Sequence, residues 1–447
     1  MYDLIILGGG PGGYVSAIIG AKKGLKVLLV EKDRVGGVCL NRGCIPTKTM
    51  IHYAKLLEKV NSSIKSNIFE GSISVNYSAL FEKKNKVIDT LVGSVEKIIK
   101  KLGGEIITGE GKLISPNTVE VKGEVFKGKY IIVATGSIPL IPESWSDCFS
   151  GEKALNWESL PQSVVVVGGG VIGVEMAYWL NALGVQVEIV EMLDSIIPNG
   201  DKTLVKTLVR EFKKRKIKLN LGQPVMDIRK DDEKFVVVTD KKEIAGEKVI
   251  VALGRKAVAG WGGEFILKNS RGWVTVDEYW RTDVPDHFAI GDVTGKGMLA
   301  HSAMFAAEQV IKLIIGDEAI PYDERFVPKV VYTEPEFAWV GLTEEQIQRE
   351  NIDYGVGNFA IRGTGRALAE DSLAGESRVY FEKDTGKILG IHFMGENGGE
   401  IIHAGVVAIA NGLLIKDFDK VITAHPTITE ALKESFADTG GWAIHKL

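Results

Sequence analysis

The chain has 447 residues, a formal net charge of −4, and 52 glycines against three cysteines. That length supports two to four domains, and the balanced charge gives no reason to propose a nucleic acid or a membrane surface as a partner. So few cysteines exclude a disulfide framework, and sulfur chemistry, where it occurs, is local.

The N-terminal run Met1–Leu7 is apolar, short and without a basic flank, so it is read neither as a bilayer span nor as a secretion signal, and the expected location is cytoplasmic. Residues 3–7 predict a buried parallel strand, Gly8-Gly9-Gly10-Pro11-Gly12-Gly13 a turn, 14–23 a helix, and Lys26–Val30 a strand ending at Glu31. In such a unit Gly8 makes the turn, Gly10 admits a pyrophosphate, Gly13 packs helix on strand, and Glu31 can accept hydrogen bonds from ribose hydroxyls.

Cys39 and Cys44 follow in Gly36-Gly37-Val38-Cys39-Leu40-Asn41-Arg42-Gly43-Cys44-Ile45-Pro46-Thr47-Lys48. Five positions of regular helix rise about 7.5 Å, whereas bridged cysteines have Cα atoms no more than about 6.8 Å apart. The segment must therefore bend, which Gly43 permits. Pro46 suits a first helical turn, with Ile45 extended before it. Cys44 then lies near a helix N-terminus, where free N–H groups and the dipole stabilise a thiolate. One stabilised thiolate beside one ordinary thiol fits a redox pair. The competing readings are a metal site, for which distant Cys148 and a single His52 do not complete a set, and inert packing thiols.

Met50–Val60 continues as a helix. Leu80, Val87, Leu91, Val95, Ile98 and Leu102 recur at helical spacing and predict a long amphipathic helix with a solvated, lysine-rich face. Short strands run to about residue 121, and Lys129–Ala134 leads into Thr135-Gly136-Ser137. Pro139 and Pro142 mark the exit from a first domain.

The unit then repeats. Val164–Val167 enters Gly168-Gly169-Gly170-Val171-Ile172-Gly173, a helix, and the strand Gln186–Val190 ending at Glu191, with the spacing of Gly8 to Glu31. Two equal units predict two nucleotide-binding domains. Glu191 would repel a 2′-phosphate, and no Arg or Lys follows it before Lys202, so NAD is favoured over NADP. Val249–Val251 leads to Gly254-Arg255, Phe288–Ile290 is a strand running into Gly291-Asp292, and a helix spans about 300–315. From Pro328 the pattern changes to strands and hairpins with helices near 343–350, 398–411 and 427–436. In His425-Pro426-Thr427-Ile428-Thr429-Glu430 a carboxylate one turn beyond an imidazole can fix its tautomer and raise its basicity.

Over nearly its whole length the sequence resembles the FAD-dependent pyridine nucleotide–disulfide oxidoreductases, through Gly8–Gly13, the Cys39–Cys44 segment, Gly168–Gly173, Thr282–Asp292, Met298-Leu299-Ala300-His301 and His425–Glu430. Within the family it is most similar to the members that oxidise dihydrolipoyl groups. The resemblance implies an α/β chain of two Rossmann-like dinucleotide-binding domains, for FAD and NAD, plus a C-terminal α+β dimerisation domain. The expected segments are 1–145 (FAD, with the redox disulfide), 146–256 (NAD), 257–325 (returning to the FAD domain) and 326–447 (interface). It implies that Gly8, Gly10, Gly13, Glu31, Gly111 and Asp292 hold FAD, with Met298, Ala300 and His301 running beside the flavin. Lys48 approaches the flavin's reactive edge, paired with Glu175. Gly168, Gly170, Gly173, Glu191 and Gly254 hold NAD. Cys39 is the interchange thiol and Cys44 the thiol facing the flavin.

The family's homodimers place His425 and Glu430 against the disulfide of the other copy, with a lipoyl-bearing protein as substrate: an acyltransferase core or a glycine cleavage carrier. A reductase of glutathione-like or coenzyme A disulfides, and a mainly docking subunit, are the alternatives. Two departures from the family pattern stand out. Arg255-Lys256-Ala257 lacks a proline usual after Gly-Arg, and Ala306-Ala307 replaces a Glu-Gly pair.

Overall fold

The computed structural model describes residues 1–446. The chain separates into two compact units: Met1–Met50 with Asn76–Ser159 and Leu253–Asp323, and Ile51–Val75 with Leu160–Ala252 and the chain from Glu324 on.

In the first unit, β1 (Tyr2–Leu7), α1 (Pro11–Lys22) and β2 (Val27–Glu31) form the expected strand–helix–strand unit. β1 lies between β2 and the strand Glu124–Val133, parallel to both, with Leu7 opposite Val30 and Val133. Glu105–Thr108 pairs with the outer side of β2, and His287–Ala289 pairs with Glu124–Val133. Leu4, Ile5 and Ile6 are fully buried, the near-continuous apolar run of a parallel strand covered on both faces. On one face Leu4 and Ile6 meet Ala17 of α1 and Ala306, Ala307 and Val310 of the helix Ala300–Ile315. Ala306 and Ala307 are both buried there, so the departure from the family pattern puts two small side chains in a close helix contact.

Helix α2 (Gly37–Arg42) carries Cys39, and α3 (Cys44–Lys65) starts at the second cysteine. Ile45 is therefore helical, not extended. The Thr47 N–H and hydroxyl both bond the Gly43 carbonyl, at 3.1 and 2.6 Å, and this closes the first turn ahead of the restriction set by Pro46.

Helix α4 (Tyr77–Lys101) is capped by Asn76, which accepts the Ala79 N–H at 3.1 Å. Its buried face differs from the predicted one. Leu80, Lys84, Ile88, Val92 and Ile99 face inward, while Leu91 and Ile98 are exposed. A lysine displaced the expected stripe. Lys84 is fully buried, its stem filling a core position and its ammonium donating to the Leu155 carbonyl at 2.6 Å.

The second unit holds the repeated turn. The parallel strands Ser163–Val167, Gln186–Val190, Lys218–Asn220 and Lys248–Val251 carry it, with the helix Val171–Ala182 after the glycines. A five-stranded antiparallel sheet follows, in the order Lys329–Val331, Glu336–Gly341, Ile388–Gly395, Glu376–Glu382, Tyr354–Ala360. Helices Gly398–Ala410 and Glu430–Asp438 cover it over a core that includes Val340, Ile391, Phe393, Ile402, Leu432 and Phe436. No described helix is long and apolar enough to cross a membrane.

Burial holds Lys84 down at about 8, against about 10.4 for a lysine in an unfolded chain. Between those values the unfolded chain binds the proton more strongly, so wild-type stability rises with pH across that window and the gain is absent below it. The Tm of the wild type relative to Lys84→Met should therefore climb by about 2 °C from pH 8 to pH 10; parallel curves in a thermal melt series would refute this.

Candidate active site

The two glycine turns are built alike. Gly8 and Gly168 have φ of +102° and +112°, in the region glycine tolerates. Their N–H groups donate to the carbonyls of Val30 and Val190 at 2.8 and 2.9 Å. A Cβ on Gly13 would lie 1.8 Å from the Gly8 carbonyl oxygen, and one on Gly173 2.0 Å from that of Gly168. At Gly10 and Gly170 a Cβ would meet nothing within 4 Å. Glu31 accepts the N–H groups of Gly9 and Asp33 at 2.6 and 2.8 Å, and Glu191 those of Gly169 and Leu193 at 2.6 and 2.9 Å. Each carboxylate is thus fixed at its strand end with lone pairs left over.

Cys39 and Cys44 are free thiols, both half-buried, and their side chains are hydrogen-bonded to each other. The Cys39 thiol is pushed well above its ordinary value, first by that hydrogen bond, then by burial and by the charge of Cys44. Lys48, one turn into α3, pulls it down, and Asp292 pushes it up. Cys39 is therefore the proton holder of the pair, and Cys44 sits at the N-terminus of α3, where a thiolate is favoured. Tyr14 of α1, like Ile45, packs against the buried cluster of Leu40, Ile88 and Val92. Burial, followed by the charges of Cys39 and Cys44, raises its phenol.

In the second unit His425 Nδ1 is 2.9 Å from Glu430 Oε1, and Glu430 Oε2 accepts the Thr427 N–H at 2.9 Å. Burial pushes the Glu430 carboxyl up, but the hydrogen bonds from His425 and Thr427 and the charges of His425 and His445 outweigh it and hold the group below the ordinary range. An ionised Glu430 fixes the Nδ1–H tautomer and leaves Nε2 of an exposed ring as the proton acceptor. The helix begins at Glu430, three residues later than the sequence predicts. The intervening turn is what lets the carboxylate reach back to the imidazole.

Residues 2–307 match the pyridine nucleotide-disulphide oxidoreductase family and residues 327–436 its dimerisation domain. The chain is 35% identical to a dihydrolipoyl dehydrogenase of Vibrio parahaemolyticus, over 96% of this chain and 94% of that one. It is 36% identical to the mitochondrial dihydrolipoyl dehydrogenase 1 of Arabidopsis thaliana, over 99% and 91%. The chain belongs to the pyridine nucleotide–disulphide oxidoreductase family, among its dihydrolipoyl dehydrogenases. Solved structures share the fold: LpdA from Mycobacterium tuberculosis with a TM-score of 0.90 at 22% identity, covering 97% of this chain and 98% of that one. The HOCl-induced flavoprotein disulfide reductase RclA from Escherichia coli gives 0.89 at 24%, covering 98% and 99%.

As a member of this family the protein is an oxidoreductase that uses FAD and NAD. Its residues fit both groups. Gly10 faces a cradle that a Cβ would occupy, and the hydroxyl of Thr135 is buried without a partner in the same unit. Gly170 faces a second cradle, with Met192 and Leu193 exposed beyond Glu191.

The first unit gathers Gly8, Gly10, Gly13, Glu31, Cys39, Cys44, Lys48, Asp292, Met298 with φ +47°, and Ala300 and His301 at the start of the helix Ala300–Ile315. Gly111 is there too, but packing accounts for it: a Cβ would lie 2.8 Å from Leu7 and from Val30. Gly254, with φ +109°, also falls in the first unit. Gly168, Gly170, Gly173, Glu175 and Glu191 fall in the second, where buried Glu175 accepts the Tyr332 N–H at 3.0 Å. Sequence reasoning passed over Ser137 and Arg255. Ser137 donates to Asp292 Oδ2 at 2.5 Å, and Arg255 donates to the Ser137 hydroxyl at 2.6 Å. The Thr-Gly-Ser triplet and the Gly-Arg pair were the only signals.

Gly10→Ala and Gly13→Ala separate cradle from packing. The first should melt like wild type as apoprotein and bind FAD at least roughly tenfold more weakly in a fluorescence titration, because it intrudes on the ligand alone. The second should lower the apoprotein Tm itself, since helix and turn cannot both keep their places.

Proposed function

We propose that this enzyme oxidises protein-bound dihydrolipoyl groups to lipoyl, with NAD as the final acceptor. The reading is carried by the hydrogen-bonded thiol pair at the start of α3, with Lys48 beside it, in a chain that also supplies a His–Glu base. We assign FAD to Gly8, Gly10, Gly13, Glu31 and Asp292, with Met298, Ala300 and His301 alongside, and NAD to Gly168, Gly170, Gly173 and Glu191.

With the cysteines joined as a disulfide, His425 Nε2 takes the proton of one substrate thiol. The resulting thiolate attacks Cys39 Sγ, and the bond to Cys44 breaks with its electron pair on Cys44. Exchange needs an attacking thiolate and favours a leaving thiol of low pKa, the role of a helix N-terminal Cys44. The second substrate thiol then attacks the substrate sulfur bound to Cys39 and passes its proton to the departing Cys39. This closes the dithiolane, and Cys39 leaves as a thiol. The chain ends with a proton on Cys39 and charge on Cys44, the distribution that the free thiols favour. The flavin that Gly8, Gly10, Gly13, Glu31 and Asp292 would hold would supply electron acceptance from the dithiol and hydride donation to NAD. Lys48 places a fixed positive charge where electron density accumulates.

A matching dimerisation domain supports a homodimer. In the proposed dimer the His425–Glu430 pair of one copy serves the thiols of the other. The lipoyl carrier would be an acyltransferase core or a glycine cleavage carrier protein, met in the cytoplasm. Reduction of glutathione-like disulfides by NADPH is the weaker reading, because Glu191 and its apolar successors oppose a 2′-phosphate.

His425→Gln should lower dihydrolipoamide oxidation by roughly 10²–10⁴-fold, the usual worth of a positioned base. Reduction of an artificial dye by NADH, which bypasses thiol exchange, should stay near wild type. Equal losses in both assays would remove His425 from the base role. Glu191→Arg should narrow the preference for NADH over NADPH in the dye assay by roughly tenfold or more; an unchanged ratio would place the ribose elsewhere.

A further inference from the structure

Arg255 stands at the centre of a hydrogen-bond relay within the first unit that leads to Asp292. Its Nε donates to the Ser137 hydroxyl at 2.6 Å, Nη2 to the Ser137 carbonyl at 2.9 Å, and Nη1 to Glu152 Oε1 at 2.8 Å. The backbone seats it. Arg255 pairs with Pro139 across a short antiparallel ladder, and the Leu140 N–H donates to the Gly254 carbonyl at 2.9 Å. The side chain is 14% exposed, and Nε lies 3.7 Å from Asp292 Oδ2.

Donor chemistry fixes the direction of this relay. A guanidinium has only donors, so the Ser137 oxygen must accept from Arg255. The single hydroxyl proton is then committed to Asp292 Oδ2, at 2.5 Å. That oxygen must accept, which fixes the carboxylate's orientation and leaves Oδ1 for a ligand hydroxyl. A hydroxyl polarised by a guanidinium is also a stronger donor. The relay extends the other way as well. Glu152 Oε2 is 3.9 Å from Arg42 Nε, and Arg42 pairs with Asp33 at 2.7 Å. Arg42 lies between the two cysteines on the redox helix.

The geometry points to Arg255 as a positioning residue that, through Ser137, sets the orientation of Asp292 and offsets its charge, and so both the hold on FAD and the field at Cys39. This rests on the proposed assignment of Asp292 to FAD. The groups that act electrostatically on Cys39 are Cys44, Lys48 and Asp292, with the Tyr14 phenol coupled to both thiols. Removing the guanidinium strips Asp292 of its compensating charge, so its push on the Cys39 thiol grows.

The test compares wild type with Arg255→Met, Arg255→Lys and Ser137→Ala as holoenzymes. FAD release on dilution is read by fluorescence, and thiol alkylation by iodoacetamide is followed against pH after reduction. Arg255→Met should release FAD roughly tenfold more readily, and its alkylation inflection should move up by roughly half a pH unit. Arg255→Lys restores charge but not the fork, so it should recover the inflection and not the retention. Ser137→Ala keeps the charge and cuts the relay, and should release FAD like Arg255→Met even if the latter folds poorly. Wild-type retention and inflection in all three variants, with only a lower Tm, would reduce Arg255 to a tie between two strands and overturn the inference. A wild-type protein purified without flavin would instead overturn the Asp292 assignment on which the inference rests.

Discussion

The contact on which most of this molecule depends is made by an absent side chain. Gly13 leaves its helix lying directly on the Gly8 carbonyl, and Gly173 repeats the contact on Gly168. With no Cβ between them, the first turn of each helix is pressed against the strand end that precedes it. Its unpaired N–H groups and positive dipole end then point across the open face of Gly10 or Gly170. The strand-end acids complete the arrangement. Glu31 and Glu191 are each locked by two backbone N–H groups, so their free lone pairs have a fixed aim. No other residue type at Gly13 or Gly173 would permit any of this.

At the thiol pair, the deciding quantity is the balance of charge around two sulfur atoms that share a proton. Lys48 and the N-terminus of α3 favour a thiolate, while burial and Asp292 oppose it. The opposition falls on Cys39. In the proposed exchange the attacking group is a substrate thiol, which must lose its proton before it can attack Cys39, and that is why a separate base is needed. The His425–Glu430 pair supplies one, with Glu430 ionised and the imidazole held in a single tautomer. The pair is thus tuned for Cys44 to leave, while the attacking thiolate is generated by the separate base.

Those parts of the structure that obey a short period or a fixed spacing were legible in the sequence. The duplicated turn, the helix Ala300–Ile315 and the strand Gln186–Val190 follow from glycine spacing and apolar runs, and they lie where expected. Failures arose where a tertiary partner overrode a local rule. The face of α4 was misjudged because a pattern of apolar letters cannot show that Lys84 finds a carbonyl to bond inside the core. Ile45 was expected to be extended because Pro46 follows it, yet Thr47 closes a helical turn over it through the Gly43 carbonyl. Arg255 and Ser137 are far apart in the chain and share no motif. Only the pairing of two three-residue strands brings them together.

After their shared turns the two units part company, and that divergence separates the turn that leads to the thiol pair from the one that does not. Gly36 donates to the Gly9 carbonyl and Ile197 to the Gly169 carbonyl, both at 2.8 Å, so the chain leaves each cradle by the same route. In the second unit Ile197 adopts φ +45°, and the chain continues to Asp201, which caps the helix Lys202–Lys214 with bonds to the N–H groups of Thr203 and Leu204. In the first unit Gly36 and Gly37 both take positive φ, and a Cβ on Gly37 would sit 2.7 Å from Gly10 Cα. Helix α2, which carries Cys39, therefore starts in direct backbone contact with Gly10, which faces the open cradle. Cys39 is only two residues further on, so its distance from that cradle is set by covalent geometry and one glycine–glycine contact. Any side chain at Gly37 would lift the thiols away from Gly10, and a nucleotide fold would remain without its sulfur chemistry.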